Sequence, residues 1–141
     1  MDYTALIEGA ILARARAYVP YSHFYVGAAL LSKDGRMFLG CNVENAAYGP
    51  TNCAERTAFF KAVSEGVLDF SAIAIVGGQL GVERNAGDYC SPCGVCRQVM
   101  AEFCSPKDFI IILANSVDDY KEFTLEQIFP VGFYPKELSG K

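Results

Sequence analysis

Thr51-Asn52-Cys53-Ala54-Glu55-Arg56 sets a thiol, a carboxylate and a guanidinium within four residues, at the point where an apolar helical period begins. Ser91-Pro92-Cys93-Gly94-Val95-Cys96 brings a thiol pair to the start of another helical segment. Thiols at a helix start face free N–H groups and the positive end of the helix dipole, and both favour the thiolate. Cys53 completes a trigonal set with that pair from a second direction. Three such soft ligands hold a zinc ion and leave its fourth position open for water, and Glu55 supplies a carboxylate beside it. Three thiolates overcompensate a dication, and Arg56 with the two helix N-termini offsets the excess.

The elements on either side alternate between helix and strand. Cys53 to about residue 63 reads as a helix, with Ala54, Thr57, Ala58, Lys61 and Ala62 at helical spacing and Gly66 ending it. Ala72 to Val76 is an apolar, β-branched run fit for a strand buried on both faces. Residues 77–89 are glycine-rich and polar, a surface loop. Cys93 to Phe103 forms a helix with Ser91 as N-cap and Pro92 at its first position, closed by Pro106. Phe109 to Ala114 is a second strand buried on both faces. Thr124 to Phe129 is a short helix capped by Thr124 with Gln127 three residues on, followed by an aromatic tail from Val131 to Tyr134.

In the other direction, residues 42–52 form a polar loop with Gly49-Pro50, of a length that is functional more often than filler. Met37 to Cys41 and Phe24 to Leu31 are strands joined by a turn at Ser32-Lys33-Asp34-Gly35-Arg36. Residues 3 to about 17 are an amphipathic helix whose stripe is Leu6, Ala10, Ala13 and Ala17, with Ile7 and Ile11 beside it. Pro20 stops it. This order predicts an α/β fold: a mixed central sheet with helices on both faces, three layers in all.

The 141 residues suit one domain over 1–141. Hydrophobic residues make up 52% and charged residues 20%, so the chain is globular. The net charge of −4 and the absence of any Lys/Arg run exclude a phosphate-tracking surface, so no nucleic acid polymer is expected as a partner. Asp2, Glu8, Arg14 and Arg16 interrupt the first apolar residues and exclude a signal core or membrane span there. Six cysteines without export features point to reduced thiols, metal or catalytic use, and the cytoplasm.

Other readings of the same residues stand beside this one. Cys93 and Cys96 alone also fit a redox dithiol. Cys90 can join the other three in a closed four-thiolate structural site, which needs no Glu55. Asn52-x-x-Glu55 also fits a capping box. The combination of Cys-Ala-Glu with Pro-Cys-x-x-Cys matches the zinc deaminases, in which a glutamate that is not a ligand serves as acid and base.

With these pieces the chain resembles the small, three-cysteine class of cytidine deaminase. The matching segments are Tyr21-Ser22-His23-Phe24 with Val26-Gly27-Ala28-Ala29, Gly40-Cys41-Asn42-Val43-Glu44-Asn45-Ala46-Ala47-Tyr48, Cys53-Ala54-Glu55-Arg56-Thr57-Ala58, Ser91-Pro92-Cys93-Gly94-Val95-Cys96-Arg97-Gln98 and Phe129-Pro130-Val131-Gly132-Phe133. The resemblance implies one zinc per subunit on Cys53, Cys93 and Cys96, with Glu55 shuttling protons. It implies a substrate pocket with Phe24 stacking on the base, Asn42 and Glu44 on the ribose, and Ala54 and Tyr48 lining it. Phe133 would reach a neighbour's site in a homotetramer. The expected activity is deamination of free cytidine and deoxycytidine in pyrimidine salvage; blasticidin-like antibiotics and polynucleotide cytosines are the alternative substrates. Cys41, Cys90 and Cys104 are expected to be structural thiols.

Overall fold

The computed structural model describes residues 2–139. In chain order its elements are α1 (Thr4–Arg14), β1 (Tyr25–Ser32), β2 (Met37–Cys41), α2 (Ala54–Ser64), β3 (Phe70–Gly78), α3 (Gly94–Phe103), β4 (Ile110–Ser116), β5 (Asp119–Thr124), α4 (Leu125–Ile128) and α5 (Lys136–Ser139). The strands form one mixed sheet in the order β2-β1-β3-β4-β5. β1 runs antiparallel to both β2 and β3, β3 and β4 are parallel, and β4 pairs antiparallel with β5.

Side chains alternate across a strand, so each apolar run feeds two cores. Val26, Ala28, Leu30, Ile73, Ile75, Ile111 and Leu113 point to one face, under Ala54, Ala58, Phe59 and Ala62 of α2 and Met100 of α3. Ala29, Ala72, Ala74, Val76, Ile112 and Ala114 point to the other, under Leu6, Ile7 and Ala10 of α1. Helices therefore cover both faces, the three-layer α/β arrangement expected. Each fully buried aliphatic side chain contributes about 1.5–3 kcal/mol, which makes the two central strands the stable heart of the fold.

Two glycines let the helices press directly onto the sheet. A Cβ on Gly27 would lie 2.0 Å from the Ala10 carbonyl oxygen of α1, and one on Gly40 2.3 Å from the Ala54 carbonyl oxygen of α2. Any side chain there would push the helix off its face.

The structure departs from the sequence expectations in several places. β5 falls on residues 119–124, where no strand was expected; it is an edge strand whose middle residues are exposed, so its Asp, Lys and Glu carry no apolar period. α1 ends at Arg14, not near 17, because Tyr18 is drawn into an isolated bridge with Val43. Ala17 therefore leaves the stripe. β3 continues through Gly77 and Gly78, residues whose glycine content reads as loop. The cap of α3 is Cys93, not Ser91. The Thr124 box is as expected: its hydroxyl accepts from Gln127 N while Gln127 returns to Thr124 N.

Candidate metal centre and active site

α2 and α3 begin on cysteines. Cys53 and Cys93 are the N-cap residues, both extended, with φ/ψ of −76°/156° and −70°/170°. An extended N-cap turns its side chain back over the first turn. Cys93 Sγ accepts there from Cys96 N at 3.4 Å. Asn52 does not cap α2; its Nδ2 donates to Thr57 Oγ1 at 3.1 Å, so no capping box forms with Glu55.

The sheet order brings the two helix starts together. Cys53 and Cys93 sulfurs lie 3.7 Å apart and those of Cys93 and Cys96 3.4 Å, and all three sulfurs lie within 4.8 Å of one another. A tetrahedral zinc with Zn–S bonds of about 2.3 Å has ligand–ligand edges of about 3.8 Å. The donor set therefore fits zinc in number, element and spacing. Among the described residues it is the only such group of His, Cys, Asp or Glu side chains. Cys90 is outside it, so the closed four-thiolate site is not formed. All six cysteines are free.

Charge at the centre is unevenly held. A hydrogen bond from Cys96 draws Cys53 down to about 5 against the cost of burial, with Arg56 and Cys93 assisting. Cys96, the proton-bearing partner, is raised correspondingly, first by that hydrogen bond and then by burial. Arg56 donates from Nη2 to Cys53 Sγ at 3.2 Å. Burial works against its charge, but the bonds to Cys53 and Cys96 outweigh this and raise its pKa.

Glu55, 4% exposed on the first turn of α2, is one of two buried polar residues among those described. Desolvation pushes its carboxyl up to about 7, with the nearby Cys53 adding to the rise. Ionising it in place costs about 3 kcal/mol more than in water. A dication held by the three sulfurs would draw it back down. Ala54, between Cys53 and Glu55, is fully buried.

The remaining candidate residues are held as follows. Asn42 ties the start of β1: Nδ2 donates to Phe24 O at 2.8 Å and Oδ1 accepts from Val26 N at 2.9 Å, leaving one hydrogen and one lone-pair direction free. Glu44 accepts through Oε1 from Tyr21 N and Ser22 N at 3.0 and 3.1 Å, and through Oε2 from the Ser22 hydroxyl. The Ser22 hydroxyl chiefly lowers its pKa, so it is a carboxylate at neutral pH. Tyr48, 74% exposed and at φ 63°, stands edge-to-face with Tyr21 at 6.3 Å. With Tyr21, Ser22, Glu44, Asn45 and Thr51 it lines an open hollow of about 400 Å³. Phe24 is half-buried against the core under α2. Phe133, 55% exposed, is held through its carbonyl by Gln98 Nε2 at 2.7 Å.

Three neighbours carry more of this site than the sequence disclosed. Arg97 donates from Nε to Pro92 O at 2.9 Å and from Nη1 to Ile128 O, clamping the metal loop to α4. Cys90 packs beside Phe24 over Gly77, and burial raises its thiol to about 11, with Glu55 and Cys53 also acting on it. Arg84 lies over Phe24. The Arg97-Gln98 pair was visible in sequence as part of a motif; nothing in the loop marked Arg84. A larger cavity of about 730 Å³ lies between α3, α4 and the tail, and none of the metal ligands lines it.

An α/β sheet whose two helix N-termini converge on three cysteines, with a buried glutamate on the first turn, defines a zinc-binding deaminase domain. Residues 2–113 match the family model described as the cytidine and deoxycytidylate deaminase zinc-binding region. Curated relatives include a cytidine deaminase of Sporosarcina psychrophila, 50% identical over 139 residues (99% of this chain, 96% of that protein). Another, from Halalkalibacterium halodurans, is 50% identical over 139 residues and covers 99% of both. Among solved structures, the cytidine deaminase of Burkholderia pseudomallei superposes with a TM-score of 0.83 at 47% identity, over 94% of this chain and 100% of that one. The chain belongs to the cytidine deaminase family, and its cofactor is zinc, for which Cys53, Cys93 and Cys96 form the cluster able to hold the ion.

Proposed function

We propose that the chain, as one domain, hydrolytically deaminates free cytidine and deoxycytidine to uridine and deoxyuridine, releasing ammonia, in cytoplasmic pyrimidine salvage. The observation that carries this is Glu55: a buried carboxyl on the first turn of α2, two residues from Cys53, set beside the three sulfurs where it can pass protons to and from the reacting atoms.

Zinc on Cys53, Cys93 and Cys96 supplies Lewis acidity that makes a water nucleophilic at neutral pH. Glu55 takes the proton from that water as its oxygen bonds to C4 of the base, and delivers it to N3. Glu55 then takes the second proton and gives it to the exocyclic amine, so the C4–N bond breaks and ammonia leaves. Arg56 tempers the charge on Cys53, at 3.2 Å. Phe24 stacks on the base against the Ala54 side of the pocket. The ribose hydroxyls take the free positions of the Asn42 amide and an acceptor lone pair of Glu44.

Binding a neutral nucleoside is consistent with a net charge of −4 and with the hollow beside Glu44 and Tyr48. No helix among the described residues is long and apolar enough to cross a membrane. Ultraviolet assay with cytidine and deoxycytidine tests the reading: turnover is expected, abolished by a chelator and restored by zinc. A zinc-loaded protein that leaves both nucleosides intact overturns it.

A further inference from the structure

The end of β3 carries two adjacent glycines, and the space each leaves is filled by a wall of the site. A Cβ on Gly77 would meet Cys90 Sγ at 2.7 Å and Phe24 Cε2 at 3.3 Å. One on Gly78, at φ +145°, would meet Arg84 Cδ at 3.1 Å. Arg84 thus lies along the bare backbone and ends with its guanidinium carbon 5.8 Å from the centre of the Phe24 ring, within cation–π range.

The loop bearing Arg84 is tied down. Arg84 Nε donates to Asp88 O at 2.9 Å, closing the loop on itself. Asn115 Nδ2, on β4, donates to Asn85 O and Asp88 O at 3.3 and 3.4 Å. Asp119, at the start of β5, accepts from Tyr89 OH at 2.7 Å and from Gly87 N at 3.4 Å. A side chain projecting from a loop fastened at both strands is a strut, not a free surface arginine.

We propose that Arg84 is a positioning residue of the active site: laid over Gly77–Gly78, it braces the Phe24 ring in the orientation that receives the base. The inference rests on Phe24 being the stacking residue. Arg84 touches the ring and not the reacting atoms, so its loss weakens substrate binding more than chemistry.

Steady-state kinetics of the zinc-loaded enzyme with cytidine test it, using Arg84→Leu, Arg84→Lys, Phe24→Leu and the Arg84→Leu/Phe24→Leu double variant. Arg84→Leu is expected to raise KM roughly 2- to 10-fold with kcat nearly unchanged, the range a partly buried cation–π contact supports. Arg84→Lys, which keeps a cation over the ring, recovers most of that loss. In the Phe24→Leu background the Arg84 substitution adds nothing. A general structural role would instead lower zinc content and melting temperature, and lysine would not rescue it. Should Phe24→Leu raise KM while Arg84→Leu does not, the brace is wrong and the stacking reading stands. Should Phe24→Leu leave KM alone, the stacking reading fails and the brace with it. An Arg84 effect of equal size in both backgrounds means direct contact with substrate, and overturns positioning.

Discussion

Glu55 concentrates the chemistry of this chain in one carboxyl, and its environment makes two separable predictions. Replacement by Gln keeps the size and removes the proton carrier, so zinc content should hold while kcat falls by about 10²–10⁴-fold, the range for general acid–base catalysis. A variant retaining near-parental kcat with full zinc rules out the proposed role. The second prediction concerns stability without metal. Burial raises the Glu55 pKa from 4.5 to about 7, so the folded chain binds that proton more tightly than the unfolded one. The associated stability is fully present below pH 4.5 and is lost as pH rises through about 7. Chelated Glu55→Gln should lack that step, gaining on the chelated parent by up to about 3 kcal/mol at pH 8. Denaturant titrations at pH 4 and pH 8 measure it, and parallel pH profiles would refute the assignment. Arg56 and Cys90 divide in the same way. Arg56 bonds Cys53 Sγ, so Arg56→Ala should lose zinc to a competing chelator sooner, whereas Cys90→Ser, outside the sulfur cluster, should match the parent.

Elements carry these side chains, and glycines set how closely they approach. α2 holds Cys53 and Glu55, and its backbone would lie 2.3–2.5 Å from a Cβ on Gly40; α1 bears no ligand and presses equally hard on Gly27 from the opposite face. Overpacking of this kind costs about 1–3 kcal/mol or more. Gly40→Ala and Gly27→Ala should both lower the unfolding temperature, but only Gly40→Ala should weaken zinc affinity as well. Equal affinities in a chelator competition would show that α2 position does not govern the metal centre. The same packing explains what the sequence disclosed. Cys93 and Cys96 sit three apart on one helical turn, and β3 and β4 are long apolar runs, so both could be read locally. The closeness of Cys53 to Cys93 depends on sheet order, and was reached through the motif pairing. β5 stayed hidden because Asp119, Lys121 and Glu122 lie on an exposed edge, paired to β4 on one side only. Arg84 stayed hidden for a related reason: the fastening of its loop depends on Asp119 of that unread strand.

At the scale of the molecule, the single chain leaves its site open in a way the proposed chemistry does not tolerate. Cys93 is exposed, Tyr48 is 74% exposed, and the hollow beside Glu44 opens to water. Apolar side chains are left uncovered as well: Val95 lies between two ligands in the sequence, and Val131 and Phe133 stand on the segment that Gln98 anchors to α3. Hydrolysis at one defined water requires the rest to be excluded, and closed symmetric assembly is the common way for one chain to cover such a patch with copies of itself. The homotetramer that the family resemblance implies, with Phe133 of one copy entering the site of the next, would meet both needs. Sedimentation is therefore expected to give a species of four 15.3 kDa chains, with specific activity falling as dilution dissociates it. Phe133→Ala should raise KM, and should do so even at concentrations where the tetramer persists, because the lost ring belongs to the site and not only to the interface. A fully active monomer overturns the assembly. A tetramer whose KM is indifferent to Phe133 keeps the assembly but removes the shared site.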